Sequence, residues 1–217
     1  EDLLGILALE SHRNQAMVIG EDLGTVPEEI RQVLADNGVY SYRVFFFEKA
    51  EDGGFYSPAH YPQQSMSTLT THDMPTLIGY WHCLDLELGK QLGLYTDDDV
   101  LQTLYASRHE DKQEILNSLH GHGRAGDEVG RDVNVTGMSR ELSFALQTHM
   151  AYGSSALLSL QLEDWLQMDK PVNIPGTFME YPNWRRKLSR NLESIFADED
   201  IQSLAAGIDA GRQEASR

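Results

Sequence analysis

Hydrophobic residues along the chain follow two alternating patterns. Short runs with several apolar or β-branched residues are typical of strands, and they lie at 17–20, 40–47, 65–71 and 156–160, of which 40–47 is rich in aromatic residues. Longer stretches with apolar residues three and four positions apart predict helices over about 2–13, 27–37, 75–84, 97–119, 139–150 and 184–196. The polar tail after Asp198 is expected to fray. Alternating strands and helices predict an α/β fold with a parallel sheet covered by helices.

Acidic residues stand where three of the predicted strands end. Glu21 and Asp22 follow the first strand and directly precede a helix-start sequence, TVPE. Glu48 stands at the end of the second strand, and His72 and Asp73 at the end of the third. Because the carboxyl ends of parallel strands meet at one edge, we expect these carboxylates to converge.

Paired carboxylates suit the chemistry of glycosidic bonds. That chemistry needs one acid to protonate the departing oxygen and negative charge near a cationic transition state. Crowded carboxylates raise one another's pKa, which keeps one of them protonated near neutral pH. Glu21 with Asp73 is the pair of interest. Each strand-end acid has a structural alternative, helix capping or binding of backbone amides, which is favoured for Asp22 and Glu48 and stays open for Glu21.

Other residues with chemical potential leave several interpretations open. His72 is a structural residue, a metal ligand, or a hydrogen-bond donor to a sugar hydroxyl. His–Asp metal motifs lie on helices and need further His partners, so a metal site is not predicted here, nor for the histidines at 120 and 122. Trp81 and Trp184 are candidates for stacking on sugar rings, although core packing is the commoner role of Trp. No organic cofactor is predicted.

Composition narrows the classes of partner. The formal net charge of −17 disfavours nucleic acid and anionic membranes, because phosphate binding needs clustered Lys and Arg. Apolar residues make up 41% of the 217 residues, which is a globular composition. The single cysteine, Cys83, allows no intrachain disulfide and predicts a reducing, cytoplasmic location. No apolar run is long enough to span a membrane, and no signal peptide is visible.

Three motifs taken together resemble a known family. They are GEDLG at 20–24, THD at 71–73, and NIPGT at 173–177 followed by NWRR at 183–186. This combination is similar to family 77 of the glycoside hydrolases, the 4-α-glucanotransferases or amylomaltases, over essentially the whole chain. The resemblance implies a (β/α)8 TIM barrel of which residues 1–217 are the C-terminal half, strands five to eight with their helices. The N-terminal half and the inserted lobes would be absent.

The resemblance also assigns roles to residues. It implies that Glu21, after the fifth strand, is the general acid/base and that Asp73, after the seventh, stabilises the transition state. His72 would hydrogen-bond the same sugar ring. Asn173, after the eighth strand, and Glu48, after the sixth, would be further substrate contacts. No metal is implied.

The nucleophile of the family is missing. It is an Asp in an Arg-x-Asp-His-like motif at the end of the fourth strand, and the sequence contains no such motif. The chain also starts without Met inside an apolar-periodic stretch. We therefore expect a piece of a longer enzyme that acts on α-1,4-glucans and maltooligosaccharides, is inactive by itself, and self-associates through open sheet edges. Alternatives are an α-amylase-clan hydrolase, a non-catalytic glucan-binding fragment, and a metal phosphohydrolase.

Overall fold

A parallel sheet lies at the centre of the computed structural model, which describes residues 2–216. Its strands are β1 (Ser41–Val44), β2 (Ser65–Thr68) and β3 (Leu157–Ser159), and they pair in chain order. The segment before β1 joins the same sheet through a parallel bridge between Ile19 and Tyr40. Because all these segments run in one direction, the turns that follow them lie toward the same edge of the sheet.

Nine α-helices and two short 3-10 helices surround the sheet within residues 2–216. The α-helices are α1 (Asp2–Asn14), α2 (Glu28–Asp36), α3 (Leu77–Trp81), α4 (Leu84–Gln91), α5 (Asp98–Gly121), α6 (Arg140–Ala151), α7 (Leu162–Trp165), α8 (Leu192–Phe196) and α9 (Glu199–Ala215). The 3-10 helices cover Phe45–Phe47 and Pro58–His60. Side-chain caps start the two central helices, since Asp97 accepts from the Val100 amide and Ser139 accepts from the Leu142 amide. None of these helices combines the length and the hydropathy needed to span a bilayer.

Aromatic residues after β1 form the centre of the core. The rings of Phe45 and Phe55 stack with centroids 4.8 Å apart, and Phe46 lies 4.2 Å from Tyr80 of α3. Aliphatic side chains from α5 and α6 close this core, and they are Ile115, Leu116, Leu119, Leu142, Leu146 and Met150. The opposite end of the sheet is far less covered. Neither α1 nor α2 buries a residue, and Leu3 is 83% exposed.

The expected α/β class is confirmed, and so are most helices. The helices predicted over 2–13, 27–37, 97–119 and 139–150 are present with their ends shifted by at most two residues. The helix predicted over 75–84 divides into α3 and α4, because Cys83 adopts a left-handed conformation with φ of 58°.

The strands are shorter than predicted. The run 40–47 leaves the sheet after Val44, because Phe45–Phe47 turn into a 3-10 helix that directs Phe45 and Phe46 into the core. Glu48 therefore follows that helix and not the strand itself, which corrects the expected position of this residue. The first predicted strand, 17–20, is reduced to the bridge at Ile19.

The C-terminal region was predicted incorrectly. No helix begins near residue 184, and the tail after Asp198 is ordered as α9. The carboxylate of Asp198 caps this helix by accepting from the Ile201 amide, and α9 buries Ile201 and Leu204. Arg212 donates to the carbonyls of Gly153 and Ser155, which joins α9 to the approach to β3. Tertiary packing thus orders a segment whose composition is polar.

Two glycines of α9 provide a matched test of its packing on α6. A Cβ at Gly211 would lie 2.9 Å from the Cβ of Ala151, whereas at Gly207 the nearest atom is 3.7 Å away, in Thr148. Alanine stabilises a helix interior by about 1 kcal/mol relative to glycine. We expect Gly207→Ala to raise the urea midpoint and Gly211→Ala to lower the free energy of unfolding by about 1–3 kcal/mol through overpacking. Equal stabilisation by both variants would show that α9 does not pack as described.

Candidate active site

Asp22 fixes the first of the strand-end turns. Its side chain is buried, with Oδ1 accepting a 2.8 Å hydrogen bond from the Tyr42 amide of β1. The Nε of Arg31 in α2 lies 3.6 Å from Oδ2, and the same guanidinium donates to the Asp22 carbonyl. These contacts give Asp22 the structural role that the sequence favoured. They also fix the backbone next to Glu21, which is exposed.

The charge of Glu21 acts on the phenol of Tyr42 in β1. Burial raises the pKa of Tyr42, the negative charge of Glu21 raises it further, and Thr68 of β2 lowers it. The phenol therefore stays protonated at neutral pH close to the Glu21 carboxylate. This arrangement gives Glu21 a polar neighbour on the adjacent strand.

Asp164 of α7 holds both ends of the second turn, which carries His72 and Asp73. Its Oδ2 accepts from the Thr70 hydroxyl at 2.9 Å, and its Oδ1 accepts from the Leu77 amide at 2.7 Å. Only 3% of the Asp164 surface is exposed. Burial raises the pKa of this carboxyl to about 6, although the two hydrogen bonds act in the opposite direction. Sequence reasoning assigned no role to Asp164, and the one available signal was an acid in the stretch LEDWL at 162–166, which follows the strand predicted over 156–160.

Asp73, His72 and Asn173 come together at the surface. The Asn173 amide group donates to Asp73 Oδ1 at 2.7 Å, and its backbone N–H donates to the His72 carbonyl at 3.2 Å. His72 Nε2 lies 3.5 Å from the same Oδ1, and both side chains are about half exposed. The Asn173 amide therefore holds Oδ1, while Oδ2 of Asp73 has no hydrogen bond from the described residues and is available to a ligand.

The segment 171–184, here called the strap, carries Asn173 to this group. The side chain of Asn183 spans it, accepting from the Ile174 amide and donating to both oxygens of Thr177. The strap ends at Trp184, whose backbone N–H donates to the Val172 carbonyl. The network makes the strap a closed loop held by its own polar groups, as in compact Ω-loops.

Glu48 and Trp81 lie outside the group formed by Asp73, His72 and Asn173. Glu48 is partly buried beside Arg43, with Oε1 3.4 Å from Nη1, and its charge adds to the effect of burial in raising the pKa of Tyr61. None of the contacts described for Glu48 joins it to the group around Asp73. Trp81 lies in the core, where its indole N–H donates to the Thr136 carbonyl, so it is not a surface for sugars.

A cavity of about 250 Å³ lies against Asp73 and Asn173. Its walls are largely apolar and come from the strap, α4 and the segment that follows α4, with Ile174, Leu88 and Tyr95 among them. A few polar groups beside apolar walls are typical of sites for small organic ligands. Within residues 2–216, no group of three or more His, Cys, Asp and Glu residues is arranged to hold a metal ion.

A parallel sheet with exposed carboxylates in its strand-end turns, held by buried polar contacts, defines an α/β protein with a candidate site at one edge of the sheet. Comparison with known families agrees: the model of glycoside hydrolase family 77, described as 4-alpha-glucanotransferase, matches residues 1–193. The chain belongs to this family.

Individual relatives are similar over nearly the whole chain. The 4-alpha-glucanotransferase of Haemophilus influenzae is 39% identical over 98% of this chain, and that of Mycobacterium tuberculosis is 33% identical over 96%. The amylomaltase of Corynebacterium glutamicum superposes with a TM-score of 0.83 at 30% identity over 95% of the chain. A Streptococcus agalactiae amylomaltase in complex with acarbose, 16% identical with a TM-score of 0.57, shares the fold. This chain spans about 30% of the length of these relatives.

The raised pKa of Asp164 predicts that the free energy of unfolding depends on pH. The pKa of its carboxyl is raised from 3.8 to about 6 in the folded chain, so the folded state binds this proton more tightly than the unfolded state. The resulting stabilisation is full below pH 3.8 and is lost as the pH rises through 6. Asn does not titrate. We therefore expect the stability of Asp164→Asn relative to the parent to improve by up to about 3 kcal/mol between pH 4 and pH 7.

Urea unfolding of both proteins across that pH range measures the difference. Asp209→Asn, which removes an exposed carboxylate on α9, is the control and should show no such trend. Asp164→Leu should be less stable than either at every pH, because it leaves the Leu77 amide and the Thr70 hydroxyl without an acceptor. A pH-independent difference for Asp164→Asn would show that this carboxyl is ionised equally in both states.

Proposed function

We propose that the complete gene product containing this chain is a 4-α-glucanotransferase, which moves a segment of an α-1,4-glucan to the 4-hydroxyl of another glucan with retention of configuration. The observation that carries the proposal is the group formed by Asp73, His72 and Asn173. It lies at the edge of the parallel sheet toward which the Glu21 turn also lies. Family membership and the names of the relatives support it. The substrates proposed are maltooligosaccharides and longer α-1,4-glucans in the cytoplasm.

We further propose that residues 1–217 are the C-terminal part of a catalytic (β/α)8 barrel, with the bridge segment and β1 to β3 as strands five to eight. The parallel pairing of these segments in chain order supports this assignment, because a TIM barrel is built in the same way. The chain's share of its relatives' length, about 30%, supports it as well. The remaining strands and the inserted lobes would then come from other parts of the gene product.

The proposed mechanism has two steps. First, an Asp outside this sequence attacks the anomeric carbon while Glu21 protonates the leaving oxygen, which gives a covalent glycosyl-enzyme. Glu21 then accepts the proton of an incoming glucan 4-hydroxyl, and the glycosyl group passes to that oxygen with the configuration retained. In retaining enzymes the two reacting carboxyls lie about 5–5.5 Å apart.

Asp73 is proposed to stabilise the positive charge that develops on the sugar ring, with its free Oδ2 toward the sugar hydroxyls. Asn173 and His72 would orient Asp73 and contact the same ring, which is supported by the hydrogen bond from Asn173 to Asp73 Oδ1 and by the position of His72 Nε2 3.5 Å from that oxygen. Glu48 is proposed as an outer substrate contact, although its ion pair with Arg43 favours a structural role. A hydrolase of the α-amylase clan is the alternative. It would yield new reducing ends from maltotriose, whereas transfer yields glucose with longer glucans.

The role of Glu21 has a direct test in the complete gene product. Removing a general acid/base costs about 10²–10⁴-fold in rate, so we expect Glu21→Gln to reduce maltotriose disproportionation by that factor. Glu29→Gln, an exposed acid eight residues away on α2, is the matched control and should retain full activity. Glucose release and product lengths give the rates. Near-normal turnover of Glu21→Gln would mean that another residue is the acid.

The isolated 217-residue chain has a separate expected behaviour. We expect it to produce no transfer products from maltotriose, because it contains no nucleophile motif. We also expect it to self-associate, because the bridge segment and β3 are sheet edges and the apolar residues of α1 are exposed. Light scattering followed by incubation of the same sample with maltotriose measures both properties. A monodisperse, active monomer would contradict the fragment proposal.

A further inference from the structure

Trp184 combines exposure with an unusual backbone conformation. Its surface is 62% exposed, although Trp is the side chain that gains most from burial. Its φ of 60° lies in the left-handed region, where bulky residues are rare. Residues held in such conformations cluster at ligand sites, because the surrounding structure must fix them there. The strap supplies this constraint, since the Trp184 N–H donates to the Val172 carbonyl and Asn183 is fixed by its side-chain hydrogen bonds.

The exposed indole lies beside the group around Asp73. Its ring centroid is 5.1 Å from that of His72, with the two planes at 45°. His72 in turn contacts Asp73 Oδ1 and accepts a hydrogen bond from the Asn173 N–H through its carbonyl. An aromatic surface therefore adjoins a carboxylate with a free oxygen and an amide side chain. We call Trp184 and His72 together the aromatic platform.

We propose that the aromatic platform binds the apolar face of a glucosyl ring next to the ring held by Asp73, which makes Trp184 a determinant of glucan affinity. This inference rests on the proposed function for the identity of the ligand as an α-1,4-glucan. A pyranose ring has an apolar C–H face and a polar rim. The indole matches the face, and Asp73 with Asn173 matches the hydroxyls of the rim. A neutral sugar also approaches this chain of net charge −17 without repulsion.

Trp184 is a binding residue in this proposal and takes no part in bond breaking. Contacts that are equally strong in the ground and transition states alter KM and leave kcat unchanged. In the complete gene product, we expect Trp184→Ala to raise the KM for maltooligosaccharides about tenfold with kcat within twofold of the parent. Trp184→Phe keeps a ring and should raise KM by less than threefold. Phe196→Ala removes an exposed aromatic of α8 and is the matched control, with no change.

Binding is measured separately in the Glu21→Gln background, where the chemistry is blocked. Calorimetric titration with maltoheptaose should give a Kd about tenfold weaker for Trp184→Ala and unchanged for Phe196→Ala. Within this chain, acrylamide reaches Trp184 most readily, because Trp81 is buried and Trp165 is partly buried. Maltoheptaose should protect emission from quenching, and Trp184→Phe should abolish that protection. This readout does not depend on the folding of the alanine variant.

Two results would overturn the platform. One is a Kd for maltoheptaose that is the same with and without the indole. The other is a lowered thermal midpoint of Trp184→Ala with unaltered KM and quenching protection, which would make Trp184 a packing residue. If the parent makes no transfer products but its affinity for maltoheptaose depends on Trp184, the proposed function fails and the platform stands. If transfer is normal and Trp184 variants bind normally, only the platform fails.

Discussion

The buried carboxyl of Asp164 is the contact on which the geometry of the Asp73 turn depends. It joins the end of β2, the start of α3 and the helix α7 through two short hydrogen bonds from Thr70 and Leu77. Burying a carboxyl is costly, which is why its pKa rises. The cost is tolerated because the same two oxygens accept from a backbone amide and a hydroxyl that would otherwise be buried without an acceptor.

Burial separates the acids of this edge into two groups. Asp22 and Asp164 are buried and accept hydrogen bonds from backbone amides, whereas Glu21 and Asp73 are exposed. Glu21 precedes Asp22 in sequence, and Asp73 lies in the turn whose two ends bind Asp164. A catalytic carboxylate needs a fixed position, and an error of about 1 Å can cost 10²-fold in rate. Exposed side chains cannot obtain that precision from core packing. The buried acids Asp22 and Asp164 provide this precision, because their hydrogen bonds fix the backbone of the two turns.

Local patterns explain what could be predicted from the sequence. The strand-end position of Glu21 and Asp73 follows from an apolar run, an acid and a helix start, all within about ten residues. The bracing role of Asp22 followed from the same stretch. Asp164 could not be found in this way, because its partner Thr70 lies 94 positions earlier. The strand over 40–47 was predicted too long for a related reason, since Phe45 leaves the sheet to meet Phe55 and the helices of the core.

The Asp73 turn and the Glu21 turn of the candidate site differ in how firmly the rest of the chain packs against them. The Asp73 turn lies above the aromatic core, which is closed by α5 and α6. The Glu21 turn lies between the bridge segment and α2, and neither α1 nor α2 buries a residue. Segments with few buried apolar contacts open at low free-energy cost. The position of Glu21 relative to Asp73 is therefore held least firmly on the side of α1 and α2, so any structure that packs there would act directly on the distance between the two acids.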